Sequence, residues 1–488
     1  MNDSALRTPI RRWLLRAVAA LLLLAACPAP ALAHAHLQRA TPAAGARLTI
    51  APRELVLTFS EAPTLGMSAL RLVGPDSAAV ALATLGHSGG ARTLSATITG
   101  PLAAGTYTVL WQTAGDDGHV QHGSYTFVIA EGAEGLAPPP ATAAPLATKS
   151  THADSAAASR ATTRDSVAAP LHPNAFDVSS PAYVAIRWLQ FASLLVLLGA
   201  VAFRWWVLPR VGVTIAEPAR RDLSYGAAGA GLWGAWFLAV SALARLAAQL
   251  GTMYSSAAVG GVSWSAMLLG TPWGHGWLLE IVAIAFVVAG LRAVRREATL
   301  VLPWRIAAAA TMALAFVPAL SGHAIADRTF APFTVLFDAA HVLAAGTWLG
   351  TLLVMLVVGM PVALRAASGG RAESLATMVN AFSPLALGSA AVLVFSGVVA
   401  ARVHVGSWAA FTDTTYGRTL LIKLAIVVLL VLVGAFNWRR VRPSLISPDT
   451  GAPERLRRSA TFELVLAALV LAVTAVLVAL PTPIDLAR

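Results

Sequence analysis

Asp117 and His119 flank Gly118 within the stretch 113–127. Two residues two apart in extended backbone present their side chains on the same side. A carboxylate and an imidazole so placed suit one metal ion. Turns are rich in Asp and Gly, so the pair alone has low specificity. His34 adds to it: it becomes the first residue of a mature chain if cleavage follows Ala31-Leu32-Ala33. A free amine with its own imidazole, a second imidazole and a carboxylate form a nitrogen-rich tetragonal set, and such sets favour Cu(II).

A second group of ionisable residues sits in strongly apolar sequence: Arg245, His275, Glu280, His323, Asp338, His341, His404 and Lys423. Ionisable side chains inside membrane spans are costly and therefore candidates for function. Asp338 and His341 are three apart, on one face of a helix. His275, His323 and His404 have an equally simple interfacial reading, and Asp338 with Lys423 also reads as a structural ion pair. Met253 and Met267 are soft ligands suited to Cu(I), although methionines in such segments more often pack.

The elements that must hold these groups are of two kinds. The 488 residues are 57% hydrophobic and 12% charged, with mean hydropathy +0.70. That is the composition of a multi-spanning membrane protein with the lipid bilayer as a partner. The net charge of +12 is accounted for by arginines flanking the spans. No basic patch lies on a soluble segment, so no nucleic-acid partner is expected. The single cysteine, Cys27, precludes an internal disulfide and leaves His, Met and carboxylates for metal chemistry.

Residues 1–33 read as a secretory signal: Arg7, Arg11, Arg12 and Arg16, then an apolar core, then the small-residue cleavage site. A rival cut exists. Leu24-Ala25-Ala26-Cys27 fits a lipoprotein box, which lipidates Cys27 and leaves His34 inside the chain. Residues 34–130 read as an all-β Greek-key sandwich of about seven short strands, with candidates at 54–59, 69–73, 93–99, 107–112 and 124–129. Residues 131–178 are a flexible Ala/Pro/Ser/Thr linker, long enough to reach on the order of 100 Å when extended.

Residues 179–488 form an all-α polytopic bundle. Eight apolar stretches are long enough to cross a bilayer: 182–208, 225–249, 273–291, 302–320, 333–357, 376–401, 417–437 and 458–480. Arg210, Arg220 and Arg221 follow the first. Arg292, Arg295 and Arg296 follow the third, Arg365 and Arg371 the fifth, and Arg439, Arg440, Arg442, Arg455, Arg457 and Arg458 the seventh. The alternate loops hold few cations, such as Arg328, Arg402 and Arg418. The positive-inside rule puts the first set in the cytoplasm, with the β domain and the stretch 481–488 periplasmic, in a bacterial inner membrane. All four histidines of this block then fall towards the periplasm. Asp338 and His341 lie roughly 8–13 Å below the outer end of their helix.

The stretches 34–45, 57–61, 104–111, 117–119 and 123–127, which include His34, His36, Phe59, Glu61, Tyr107, Trp111, Asp117 and His119, resemble the CopC family of periplasmic copper-binding domains. The resemblance implies Cu(II) held by His34, Asp117 and His119. Some members add a methionine-rich Cu(I) loop; here only Met67 falls in the domain, and no Cu(I) site is expected there. His36, His87 and His122 are expected to be surface or turn histidines. The stretches 337–350, 416–423 and 434–437, which carry Asp338, His341, Trp348, Lys423 and Asn437, resemble the CopD family of inner-membrane copper proteins. The order is that of fused copper-uptake proteins.

The resemblance and the residues together imply capture of periplasmic Cu(II) and copper import or delivery across the membrane, without enzymatic activity. His275, His323, Asp338, His341 and His404 form a candidate membrane entry site for Cu(I) or Cu(II), with Glu280 or Asp338 offsetting the charge. Other periplasmic copper carriers are candidate partners. No nucleotide-binding loop or phosphorylated-Asp motif is apparent, so no ATPase is expected. Two other readings stand beside this one: periplasmic sequestration for copper resistance, and a haem-dependent cupric reductase. Membrane histidines do ligate haem, but the stacking at both faces usual for paired haem ligands is missing from the sequence.

Overall fold

The computed structural model describes residues 37–60, 62–114, 120–135, 180–211, 215–255, 264–297, 300–320, 331–365, 371–441, 451–480 and 482–483. The leader, His34, His36, Asp117, His119, the linker from 136 onward and His323 lie outside the described residues.

The N-terminal unit is a two-sheet sandwich. One sheet runs β1-β3-β7-β6: Leu37–Thr41, Glu54–Phe59, Thr93–Thr97 and Gly86–His87. The other runs β2-β9-β8-β4-β5: Arg47–Ile50, Val120–Glu134, Gly105–Ala114, Ala69–Val73 and Ala79–Val80. Alternation drives the packing: in β3, Leu55, Leu57 and Phe59 are buried and their neighbours are not. Phe59 meets Trp111 edge-to-face across the core at 5.4 Å, and Tyr107 stacks on Phe127 at 5.4 Å. The Tyr107 hydroxyl accepts from Ala103 N and donates to Ala103 O, pinning the entry to β8. β9 runs to Glu134, past the boundary expected at 130. Its extra residues are held because Ile50 pairs with Glu134 and Ala51 N donates to the Glu134 carbonyl.

Among the described residues, eight helices are long and apolar enough to cross a bilayer, as the apolar runs predict: Pro181–Val211, Glu217–Gly251, Pro272–Arg296, Val301–Leu320, Phe333–Arg365, Glu373–Arg402, Thr415–Arg439 and Pro453–Leu477, here spans one to eight. Span five is not a plain α-helix. It contains π-helical turns at Gly346–Gly350 and Met355–Gly359. The first receives span one: a Cβ at Gly350 would lie 1.8 Å from the Leu195 carbonyl oxygen, so only glycine permits this crossing. The crossing fixes the helix that carries Asp338 and His341.

The two units touch. The 3-10 turn Leu65–Met67 of the sandwich sits on the short helix Trp264–Gly270 that precedes span three. Met67, Ala114, Met267, Trp273 and Trp277 form one buried apolar cluster there. A Cβ at Gly66 would meet the Ala266 methyl at 2.6 Å, so the turn is close to the helix because it has no side chain. Span three ends in Arg292, Arg295 and Arg296, so the β domain is seated at the end of the bundle away from those arginines.

Candidate functional site

Strand β8 ends at Ala114, which pairs with Val120 of β9. Asp117 and His119 belong to the five residues that connect this pair and lie outside the described residues, as does His34. Ala114 itself is fully buried in the contact with the bundle. His87 and His122 are exposed strand residues; His87 Nδ1 lies 3.3 Å from the Thr93 carbonyl.

In the bundle, Asp338 and His341 share one face of span five, as their spacing predicts. Lys423 of span seven lies near enough for its charge to act on both. Span six supplies the remaining wall. Phe337 packs on Phe395 at 5.6 Å, and Gly397 leaves room for the imidazole, whose Cε1 would be 3.8 Å from a Cβ there. His341 Nδ1 lies 2.9 Å from the hydroxyl of Ser396, a residue only 2% exposed.

That hydroxyl couples to the tautomer. The Val392 carbonyl lies 2.7 Å from Ser396 Oγ. With the hydroxyl proton on that carbonyl, Ser396 accepts from His341 and the ring proton sits on Nδ1. The neutral imidazole then keeps its Nε2 lone pair for a ligand, the arrangement in which a second partner orients a metal-binding histidine. Sequence reasoning missed Ser396, because a serine in an apolar run is unremarkable until its partner is known. Ser396→Ala is expected to weaken copper binding to the bundle about 10–100-fold with little change in folding. Equilibrium dialysis of copper against the purified variant checks it.

Of the other candidate histidines, the described His275 and His404 do not converge on this pair. His275 is exposed at the start of span three, where its Nε2 donates to the Leu269 carbonyl at 2.8 Å. Span three packs against spans two and four, away from the Asp338 face. His404 stands eight residues beyond Ser396, about 12 Å along the helix, with its ring 6.4 Å from that of Tyr416. His323 lies outside the described residues. Among the described residues no three His, Cys, Asp or Glu side chains come together. The expected five-residue cluster reduces there to Asp338 and His341.

Glu280 does not serve as a free counter-charge either. Its Oε2 accepts from Arg245 Nη1 at 3.1 Å, and its Oε1 from Gln190 Nε2 at 3.1 Å, with only 4% and 1% of the charged side chains exposed. Arg187, also buried, lies over the Tyr183 ring at 4.7 Å. This polar cluster joins spans one, two and three beneath Trp273 and Trp277. Arg187 and Gln190 were legible only as polar residues inside an apolar run.

Comparison with known proteins matches the β domain and two parts of the bundle, with residues 332–375, which hold span five, between the matches. Family models match as the CopC domain over residues 37–130, the Copper resistance protein D-like N-terminal domain over 177–331 and Copper resistance protein D over 376–477. Protein YobA of Escherichia coli (strain K12) is 37% identical over 98 residues, covering 20% of this chain and 79% of that protein. Among solved structures, PcoC, a methionine-rich copper resistance protein from Escherichia coli, is 31% identical over 20% of this chain and 99% of its own, with a TM-score of 0.19. CopC from Methylosinus trichosporium OB3b is 24% identical over 20% of this chain and 94% of its own, also with a TM-score of 0.19. The chain is thus a multi-pass membrane protein of copper resistance or transport, and it belongs to the fused CopC–CopD proteins.

Proposed function

We propose that the chain captures periplasmic Cu(II) on its β domain and passes copper through the bundle to the cytoplasm. The observation that carries this reading is the seat of the sandwich. Met67 and Ala114 are buried against Met267, Trp273 and Trp277. The strand end from which the 115–119 connection departs therefore rests on the bundle. Captured copper would then be released at the membrane rather than across a linker's length. The arginine-rich loops at the opposite end support a periplasmic β domain.

In this reading His34, Asp117 and His119 bind Cu(II). Asp338 and the Nε2 of His341 take copper at the outer half of the bundle, and Lys423 holds the carboxylate until the cation displaces it. Replacement of lost hydration by imidazole and carboxylate is what lets an ion enter hydrocarbon. The transport reading predicts more cytoplasmic copper in cells that make the chain than in cells that lack it. Copper gained only in the periplasm would instead mean sequestration.

The capture step has its own test. Extending the mature N-terminus by one residue before His34 blocks the amine and alters no side chain. Cu(II) affinity is expected to fall by at least about 100-fold, since losing a ligand exceeds the loss of a ligand's supporting partner. Competition with a Cu(II) chelator measures it. Unchanged affinity would place the site elsewhere or favour the cut before Cys27.

A further inference from the structure

Three of the chain's eight methionines converge on one cavity in the half of the bundle nearer Arg365 and Arg439. The cavity, of about 340 Å³, is lined by Met355, Met360 and Met378 together with Trp348, Asn437 and Glu463. Met355 and Met360 are five apart on span five, which in a regular α-helix would turn them well away from each other. Here Met360 N donates to the Met355 carbonyl, closing the π turn Met355–Gly359. A π turn brings residues five apart onto one face, and such turns recur at functional sites. Met378 of span six faces the same turn, its Sδ 3.2 Å from where a Gly359 Cβ would stand. Met360 and Met378 lie at matching depths, each five residues from the ends of their spans at Arg365 and Glu373, about 8 Å by helical rise.

The lining also holds two charged residues, the exposed Arg439 and a buried carboxylate. Glu463 of span eight is 4% exposed. It accepts from the Asn437 amide, whose carbonyl oxygen accepts from Ser459 Oγ. Among the described residues no cationic side chain stands within ion-pair distance of it. A carboxylate buried without a cation is costly, and soft thioethers select a soft monovalent ion.

We propose that Met355, Met360 and Met378, with Glu463 as counter-charge, form a thioether site for Cu(I), an inner station for copper that enters past His341 as Cu(I); Cu(II) from the β domain reaches it only after an external thiol has given it one electron, two thiols closing to a disulfide per two ions reduced. The inference rests on the transport reading above for its role but not for its chemistry. It concerns cuprous ion and assigns no electron transfer to the chain.

The test uses the purified full-length protein in detergent, anaerobic and with ascorbate, titrated with Cu(I) against bicinchoninate. The triple variant Met355→Leu, Met360→Leu, Met378→Leu keeps volume and apolarity, so the fold is retained. It is expected to bind one Cu(I) fewer, and copper X-ray absorption is expected to lose sulfur scattering. Glu463→Gln keeps a partner for Asn437 and removes only charge; it should weaken this Cu(I) at least tenfold. Met312→Leu, on an exposed face of span four, should change nothing. A triple variant with unchanged stoichiometry and affinity would overturn the site and leave the cavity as room for a lipid chain. That result together with normal copper accumulation in cells would leave the transport reading standing. Loss of the sulfur-bound Cu(I) in a protein that moves no copper would keep the site and remove the transport reading.

Discussion

His341→Ala is expected to reduce copper accumulation to the level of cells lacking the chain, at normal protein level in the membrane. Among the described membrane histidines, His341 is the one whose surroundings prepare it as a ligand. With the Ser396 proton on the Val392 carbonyl, 2.7 Å away, the hydroxyl accepts from Nδ1 and holds the ring proton there. Nε2 is left to bind, and Asp338 lies on the same face. Removing the imidazole removes the ligand itself, so the loss should exceed the 10–100-fold typical of a lost supporting partner. The β domain's Cu(II) affinity should be unchanged, because its proposed ligands are on a separate unit. Asp338→Asn should act in the same direction. If Asp338 serves only to pair with Lys423, the double change Asp338→Asn with Lys423→Met should restore both protein level and accumulation. Whole-cell copper, normalised to the amount of chain, is the readout. Normal accumulation in His341→Ala would make His341 a packing residue.

Arg245→Met is expected to be the most destabilising single change in the bundle. It leaves the Glu280 carboxylate, 1% exposed, with Gln190 as its remaining hydrogen-bond donor. Breaking a buried pair by removing one partner costs about 3–5 kcal/mol, because the survivor's charge stays desolvated. That is a large share of the roughly 5–15 kcal/mol that holds a typical domain folded. Replacing both partners with apolar or neutral groups of similar size is often close to neutral. Arg245→Met with Glu280→Gln should therefore recover most of the lost thermal stability in detergent. If the single variant melts like the parent, the pair contributes nothing. If the double variant is no better than the single, the cluster matters for Arg187 or Gln190 rather than for its own charge balance.

The sandwich was legible where period-two burial is strong. Strand 54–59 has the expected bounds because Leu55, Leu57 and Phe59 alternate with less buried neighbours; strand 69–73 also has them, although its buried residues, Ala69 and Leu72, are three apart. β1 and β2 were not legible. Leu37–Thr41 and Arg47–Ile50 are short, mostly exposed strands held by pairing to β3 and β9 rather than by their own pattern. The eight spans were legible because length and apolarity alone set them. Their neighbours were not. Position along a helix can be counted from sequence, but the side it faces depends on packing, so His275 stands near the start of span three, on a helix that packs against spans two and four rather than beside Asp338. The π turns of span five reset the helical phase, which hid the shared face of Met355 and Met360. Ser396, Arg187 and Gln190 acquire meaning only from partners on other helices.

The central claim is inward movement of copper through the bundle, and right-side-out membrane vesicles containing the chain test it most directly. Radiolabelled copper supplied outside should enter the lumen of vesicles carrying the parent chain and stay outside those carrying His341→Ala, with equal protein in both. Equal lumenal copper in the two, or none with the parent, would contradict the account.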